Sequence, residues 1–379
     1  MTWEPVIGIE IHVQLRTSAK LFCGNAAVFG DEPNKHVCPV CLGLPGALPT
    51  TNPEAVALAV RTALALDCTV HESSVWSRKN YFYPDLPKGY QITQFDRPLA
   101  TAGVVDFDGP EGEGSVRIRR IHMEEDAGKS LHDRVPGSTA VDLNRAGTPL
   151  VEVVTEPDLR TPADVRAFLG TLKRTLEYID VSDCNMEEGS LRCDANVSVR
   201  PMGQSALGVK VEVKNINSLR SMGRAIEYEA RRQVDLLTSG RRIEQQTRHW
   251  NEEDGRTHKL RSKEEAFDYR YFPEPDLVPV VPSQGWIDEI RSAMPMLPRE
   301  RRSRLAGAAG VQTGAAALTV ERGLDDLAVD SIGRGADAAR VVVHTVDAQL
   351  HRVMTRHGFD IDALMATVNQ LVPPPDRGP

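Results

Sequence analysis

Between residues 6 and 15 the apolar Ile7, Ile9, Ile11, Val13 and Leu15 alternate with Gly8, Glu10, His12 and Gln14, the period-two pattern of a strand with one packed and one open face. The same alternation recurs at 191–200, where Leu191, Cys193, Ala195, Val197 and Val199 interleave with Arg192, Asp194, Asn196, Ser198 and Arg200. A shorter copy sets Val209, Val211 and Val213 against Lys210, Glu212 and Lys214. Strands that are polar on one side favour an antiparallel sheet over a doubly wound parallel one, whose strands are apolar on both faces. Helices are predicted to cover the packed face. Thr161-Pro162 is a start signal, followed at helical spacing by Val165, Phe168, Leu169, Leu172 and Leu176, a second helix spans about Ser218 to Leu237, and an Ala-rich one begins at Pro53. The fold class is α+β over roughly 1–285. Pro273, Pro275, Pro279 and Pro282 then punctuate the chain, which sets a domain boundary near 285. Residues 286–370 read as a helical domain, and 371–379, with three consecutive prolines, as a disordered tail.

Composition narrows this picture. A chain of 379 residues, 41% apolar and 26% charged, buries a full core. Its formal charge of −8 excludes a broad basic surface, so any nucleic-acid contact rests on a local patch. The N-terminus lacks a basic stretch followed by an apolar one, and no apolar run is long enough to span a bilayer, which predicts a cytoplasmic protein without membrane attachment. The six cysteines are too sparse for a disulfide scaffold. Cys23, Cys38, Cys41 and Cys68 have the spacing C-x14-C-P-x-C-x26-C, and the Cys38–Cys41 knuckle suits two ligands of a tetrahedral metal. The expectation is a closed structural zinc site of four thiolates, set against unliganded cysteines or a redox pair. Cys184 and Cys193 read as core residues.

A second constellation is acidic: Glu10 and His12 on the first strand, His122-Met-Glu-Glu-Asp126, Glu152, and Glu187-Glu188. Oxygen donors with an occasional imidazole suit a hard cation such as magnesium. Basic residues stand near them in sequence, namely Arg78, Lys79, Lys88, Lys129, Arg192, Lys210 and Lys214. Each alone reads as a solvated charge; gathered on alternating strands they read as a nucleotide site. Asp126-Ala-Gly-Lys-Ser130 matches only half a P-loop, since the leading glycine would fall at Met123. There is no G-x-G-x-x-G after a strand, no G-x-S-x-G elbow, and no evident nucleophile for cleaving an amide.

Longer motifs carry a resemblance. Ile7-Gly-Ile-Glu-Ile-His-Val-Gln-Leu15, Arg78-Lys-Asn-Tyr-Phe-Tyr-Pro-Asp-Leu-Pro-Lys-Gly-Tyr-Gln-Ile92, His122-Met-Glu-Glu-Asp-Ala-Gly-Lys-Ser130, Val141-Asp-Leu-Asn-Arg-Ala-Gly-Thr-Pro-Leu150, Met186-Glu-Glu-Gly-Ser-Leu-Arg-Cys-Asp-Ala-Asn196 and Asp268-Tyr-Arg-Tyr-Phe-Pro-Glu-Pro-Asp-Leu277 resemble the signatures of the B-type component of the tRNA-dependent amidotransferase. That resemblance implies a cradle domain related in fold to glutamine synthetase. It implies phosphorylation by ATP of the side-chain carboxylate of Glu or Asp misacylated on tRNA, then displacement of phosphate by ammonia that an A-type glutamine amidase releases, with a small C-type component in the complex. Carried to matching positions, Glu10, His12, Glu125 and Glu152 would hold magnesium at the reacting centre with Lys79 and Arg192. Lys88, Lys129, Asp194, Asn196, Lys210 and Lys214 would bind ATP, and the four cysteines zinc.

The likeness is concentrated in 1–280, and beyond it only segments such as Trp286–Ile290 and Val341–Leu350 retain it. Members of that family usually carry a further C-terminal tail domain that helps grip tRNA, and the expectation from this sequence is a shortened chain without it. Arg299, Arg301, Arg302, Arg304, Arg340, Arg352 and Arg356 would be an RNA-facing surface or simply solvated helix faces. Two other readings compete: a paralogue amidating a small or carrier-bound carboxylate, and a non-catalytic scaffold for an amidase. A scaffold has no physical need of a metal-binding carboxylate cluster.

Overall fold

The structure is a computed structural model that describes residues 2–262 and 269–337. The chain divides into two compact units, 1–294 and 295–379, so the division falls after the helix that follows the proline run rather than before it.

In the first unit the strands and helices run in the order β1 (Trp3–Gln14), α1 (Pro39–Leu42), α2 (Pro53–Ala65), β2 (Thr69–Val70), β3 (Ser77–Asn80), β4 (Tyr90–Thr93), β5 (Ala100–Gly109) and β6 (Gly112–Glu125). A hairpin of β7 (Lys129–Val135) and β8 (Ser138–Asp142) follows, then β9 (Pro149–Thr155), α3 (Pro162–Tyr178), β10 (Leu191–Pro201) and β11 (Val211–Lys214). The unit ends with α4 (Leu219–Thr238), β12 (Gln246–Asn251), β13 (Arg256–Ser262), β14 (Phe272–Pro273) and α5 (Gln284–Ala293). Twelve of these strands form one sheet in the order β13-β12-β11-β10-β1-β9-β6-β4-β3-β14, with β5 beside β6 and β2 beside β5.

The alternation read from sequence is the register seen. Ile7, Ile9, Ile11 and Val13 are fully buried, as are Ala195, Val197, Val211 and Val213 on β10 and β11. Helices α3 and α4 lie on this packed face. Thr161 Oγ1 accepts from the Asp164 N–H at 3.0 Å, a cap worth about 1 kcal/mol. Val165, Phe168, Leu169, Leu172 and Leu176 point inward, with Phe168 edge-on to Phe107 of β5. At about 25 cal/mol per Å² of apolar surface removed from water, such residues supply most of the drive to cover the sheet. The expectation of an antiparallel sheet needs one correction. Strands β11 and β12 are parallel, because the twenty-residue α4 crosses over between them and brings the chain back in the same direction, as a parallel neighbour requires. The protein is thus mixed α/β with a large mixed sheet.

The two ends of the proline-rich segment are tied into this unit. Phe272 pairs with Arg78 and Pro273 with Ser77, and α5 packs on α2. In the second unit α6 (Pro298–Ala309), α7 (Ala317–Glu321) and α8 (Asp325–Gly333) enclose a small core of Leu305, Ala306, Ala316, Leu324 and Leu327. Arg301 and Arg304 both pair with the buried Asp325, which ties them to this core. Arg340, Arg352, Arg356, the segment Val341–Leu350 and the tail 371–379 lie outside the described residues. Among the described residues, no helix is long and apolar enough to cross a membrane.

Candidate active site

The open face of the sheet concentrates its chemistry on one row. Register places Arg192 of β10 opposite His12 of β1, His12 opposite Glu152 of β9, and Glu152 opposite His122 of β6. Four neighbouring strands thus present adjacent side chains to one spot. Glu124, one pleat from His122, joins them. His12 Nε2 lies 3.5 Å from Glu124 Oε1 and 3.7 Å from Glu152 Oε2, and His122 Nε2 lies 3.0 Å from Glu152 Oε2. Donor atoms of His12, Glu124 and Glu152 all fall within 4.8 Å of one another, a spacing that one hard cation could bridge. Burial works against charge on Glu152, but His122, His12 and Lys79 outweigh it and hold this carboxyl well below its ordinary range. His122 Nδ1 is buried without a hydrogen-bond partner.

Glu124, rather than the expected Glu125, is the residue of β6 that stands with His12 and Glu152. Successive residues of a strand face opposite ways. Glu125 accordingly turns away from His12, forms a short ion pair with Lys88, and accepts from the Ile92 N–H at 2.9 Å. Lys88, expected at ATP, is committed to that pair. A glycine keeps the space beside it open: Gly43 ends α1 at φ +64°, and a Cβ there would stand 2.6 Å from Lys88 Cγ.

Other predicted residues sort by their neighbours. Glu10 is one pleat from His12 and accepts from Asn196 Nδ2 at 2.9 Å. Burial, then the charges of Glu152 and Glu212, push its carboxyl up. Lys214 is held by Asp194 at 2.5 Å and Glu212 at 3.1 Å; burial opposes its charge, these two carboxylates outweigh that, and its pKa is raised. Arg192 pairs with Asp126 at 3.0 Å, and Gln14 donates to the same carboxylate at 2.8 Å. Lys129 is exposed and lines a cavity of about 630 Å³ with Gln14, Arg16, Phe29, Arg134 and Arg145. Lys210 is exposed on the approach to β11, and among the described residues no contact joins it to the row.

Lys79 has a different setting. Its ammonium lies over the ring of Tyr269 at 4.9 Å and that of Tyr81 at 5.9 Å; among the described residues no carboxylate reaches it at ion-pair distance. Burial opposes its charge, and Glu124 leads the groups that overcome this and raise its pKa. This wall joins two motifs far apart in the chain. Arg78 makes a bidentate pair with the buried Glu274 at 2.6 and 2.8 Å and stacks on Tyr90 at 4.2 Å, which fixes β14 and the tyrosines before it against β3. Sequence reasoning placed both Glu124 and Glu125 in the acidic constellation but chose Glu125 for the cluster, and it missed His122 as a partner of Glu152 and the aromatic wall.

The cysteine expectation is also corrected. Cys23, Cys38 and Cys41 gather, with Sγ of Cys41 at 3.4 Å from Cys23 and 3.5 Å from Cys38. Cys68 is elsewhere, buried beneath Gly103 and donating to the Leu66 carbonyl, with a thiol that burial pushes up to about 12. Around Cys41 the remaining neighbours are the buried Lys20 ammonium and the Asn25 amide, each 3.6 Å from its sulfur. A closed four-thiolate zinc site does not fit these residues; a group of three thiols close enough to share an ion does.

Known proteins resemble this chain along most of its length. Residues 5–288 match the GatB/GatE catalytic domain family. The chain is 48% identical over 373 residues to the B-type component of aspartyl/glutamyl-tRNA(Asn/Gln) amidotransferase from Thermoanaerobacter sp. (strain X514), covering 98% of this chain and 78% of that protein. It is 50% identical over 370 residues to the protein of the same name from Myxococcus xanthus (strain DK1622), covering 97% and 77%. To that of Persephonella marina (strain DSM 14350 / EX-H1) it is 54% identical over 305 residues, covering 80% and 64%. Similarity therefore continues well past residue 297, further than the motifs alone indicated. With identity of this order along nearly its whole length, the chain belongs to the family of B-type components of aspartyl/glutamyl-tRNA(Asn/Gln) amidotransferase, an enzyme family of ligase type.

Proposed function

We propose that this chain uses ATP and magnesium to phosphorylate the side-chain carboxylate of Glu or Asp esterified to tRNA, and then lets ammonia displace the phosphate. The observation that carries this reading is the cluster of His12, Glu124 and Glu152 with the Lys79 ammonium beside it. A carboxylate oxygen is a poor leaving group and phosphate a good one, so activation by ATP makes amidation feasible. His12, Glu124 and Glu152 would hold magnesium, which would supply positive charge against that of the phosphates.

The chain's own groups do the rest. His122 fixes Glu152 through its Nε2 contact and keeps that carboxylate oriented toward the cluster. Glu10, anchored by Asn196, adds a carboxylate on the same face of β1 as His12. Lys79, with no carboxylate at ion-pair distance among the described residues, places a positive charge where the phosphoryl group and the acyl oxygen develop negative charge. The neighbouring cavity is lined by Arg16, Lys129, Arg134 and Arg145 and equally by Asp31, Asp142, Asp183 and Glu188, so its charges balance. Arg192 and Lys214 act structurally, since their carboxylate partners neutralise them.

Among the described residues no nucleophile for glutamine cleavage stands at this face, so ammonia comes from an A-type amidase partner, with a small C-type component completing a cytoplasmic complex. The three-thiol group is proposed to hold a zinc ion, its fourth position unfilled by cysteine. The test is ADP release with magnesium, ATP and ammonium in the presence of Glu-tRNA or Asp-tRNA, uncharged tRNA, or free carboxylic acids. Release that requires a misacylated tRNA is expected. Release with a small acid alone would instead make the protein a carboxylate kinase of another pathway, and silence with every acceptor would leave a scaffold.

A further inference from the structure

Outside the cluster, the least explained feature is the row of aromatic residues at the β3–β14 edge. Phe82 is 87% exposed, and Tyr83, Phe95 and Phe272 are exposed as well. Apolar rings left in water forgo the stabilisation of burial, and a contiguous set of them marks a binding surface. Within the set one pair is ordered: the rings of Phe95 and Tyr271 stack in parallel, 3.8 Å between centroids and 5° apart in plane. Tyr271 leans edge-on against Tyr269, the ring that carries Lys79. Phe95 lies two residues after Thr93, the register partner of Glu124 on β6, so the pair stands at the edge of the cluster while Phe95 is exposed to solvent.

We propose that the Phe95–Tyr271 pair is the stacking platform for the 3′-terminal adenosine of the aminoacylated RNA, and that it delivers the esterified side chain to His12, Glu124 and Glu152. The inference rests on the function proposed above and adds the subsite of one substrate. Proteins hold unpaired nucleotides by stacking bases on aromatic rings, and a two-ring stack with an open outer face is ready to take a base as its third layer. Charge selects between the two adenine-bearing substrates. A triphosphate needs several cations, and this wall offers Lys79 beside carboxylates. A terminal nucleoside ester brings a flat base and little charge near the reacting carboxylate, and it suits the wall.

The test uses the full-length protein with magnesium, ATP and ammonium. KM is measured separately for misacylated tRNA and for ATP in the wild type, Phe95→Ala and Phe95→Tyr, and with a misacylated tRNA whose terminal nucleotide lacks its base. Phe95→Ala is expected to raise KM for the RNA about tenfold with little change in kcat or in KM for ATP. Phe95→Tyr should restore it, and the base-less RNA should not distinguish wild type from Phe95→Ala. Because Phe95 is exposed, circular dichroism should show the variants folded. A rise in KM for ATP instead, or no change in either KM, overturns the platform. Wild-type protein that releases no ADP with any misacylated tRNA sinks the proposed function and the platform with it, an outcome separate from an active wild type indifferent to Phe95→Ala.

Discussion

Glu124 and Glu125 are neighbours on one strand, yet replacing each by glutamine should have opposite consequences. Glu125 and Lys88 form a pair whose side chains are 4% and 8% exposed. Breaking a buried ion pair from one side costs about 3–5 kcal/mol, since the surviving charge is left without compensation. The amide oxygen of Glu125→Gln still accepts from the Ile92 N–H, which places the expected loss near the lower end, about 3 kcal/mol. Glu124 is buried too, but it is crowded by Glu152, and among the described residues its ion-pair contacts are with His12 and His122. Glu124→Gln relieves that crowding and should leave stability within about 1 kcal/mol of wild type. It removes one of three grouped ligands, so affinity for a divalent ion should fall by about 100-fold or more. The assays are urea unfolding without metal and titration with manganese as a spectroscopic probe. A stable Glu125→Gln that no longer binds manganese, paired with a Glu124→Gln that unfolds early, would refute the parity of β6 on which the site is built.

Two further outcomes are expected. Burial opposes charge on Asp126, but Arg192, Arg145 and Gln14 hold its pKa below the ordinary 3.8. A group depressed in the folded state contributes fully above its unfolded pKa and loses that contribution as pH falls through the folded one; below pH 3.8 the wild type should therefore lose stability more steeply than Asp126→Asn, as read from urea midpoints against pH. In the cysteine group, Cys41→Ala should abolish bound zinc and Cys68→Ala should leave it unchanged by elemental analysis of purified protein, whereas equal losses would return Cys68 to the metal.

What the sequence disclosed and what it concealed divide along a physical line. Period-two alternation at 6–15 and 191–200 is a property of single strands, and it identified the packed face, the charged face, and Glu10, His12 and Arg192 upon it. At 121–125 the alternation vanishes, because Ile121 to Glu125 are all buried and both faces of β6 are covered there. With no exposed partner to set the phase, Glu124 and Glu125 are indistinguishable in one dimension, and only the pairing of His122 with Glu152 resolves them. Cys68 failed for a related reason. Ligand spacing limits how far a chain can reach but not where it goes, and α2 carries the chain from the knuckle to the far side of Leu66, where Gly103 closes over the sulfur. The aromatic wall was least legible of all: Arg78 and Glu274 are 196 residues apart, and no local pattern tells that a buried carboxylate at the end of the domain clamps the strand that carries Lys79.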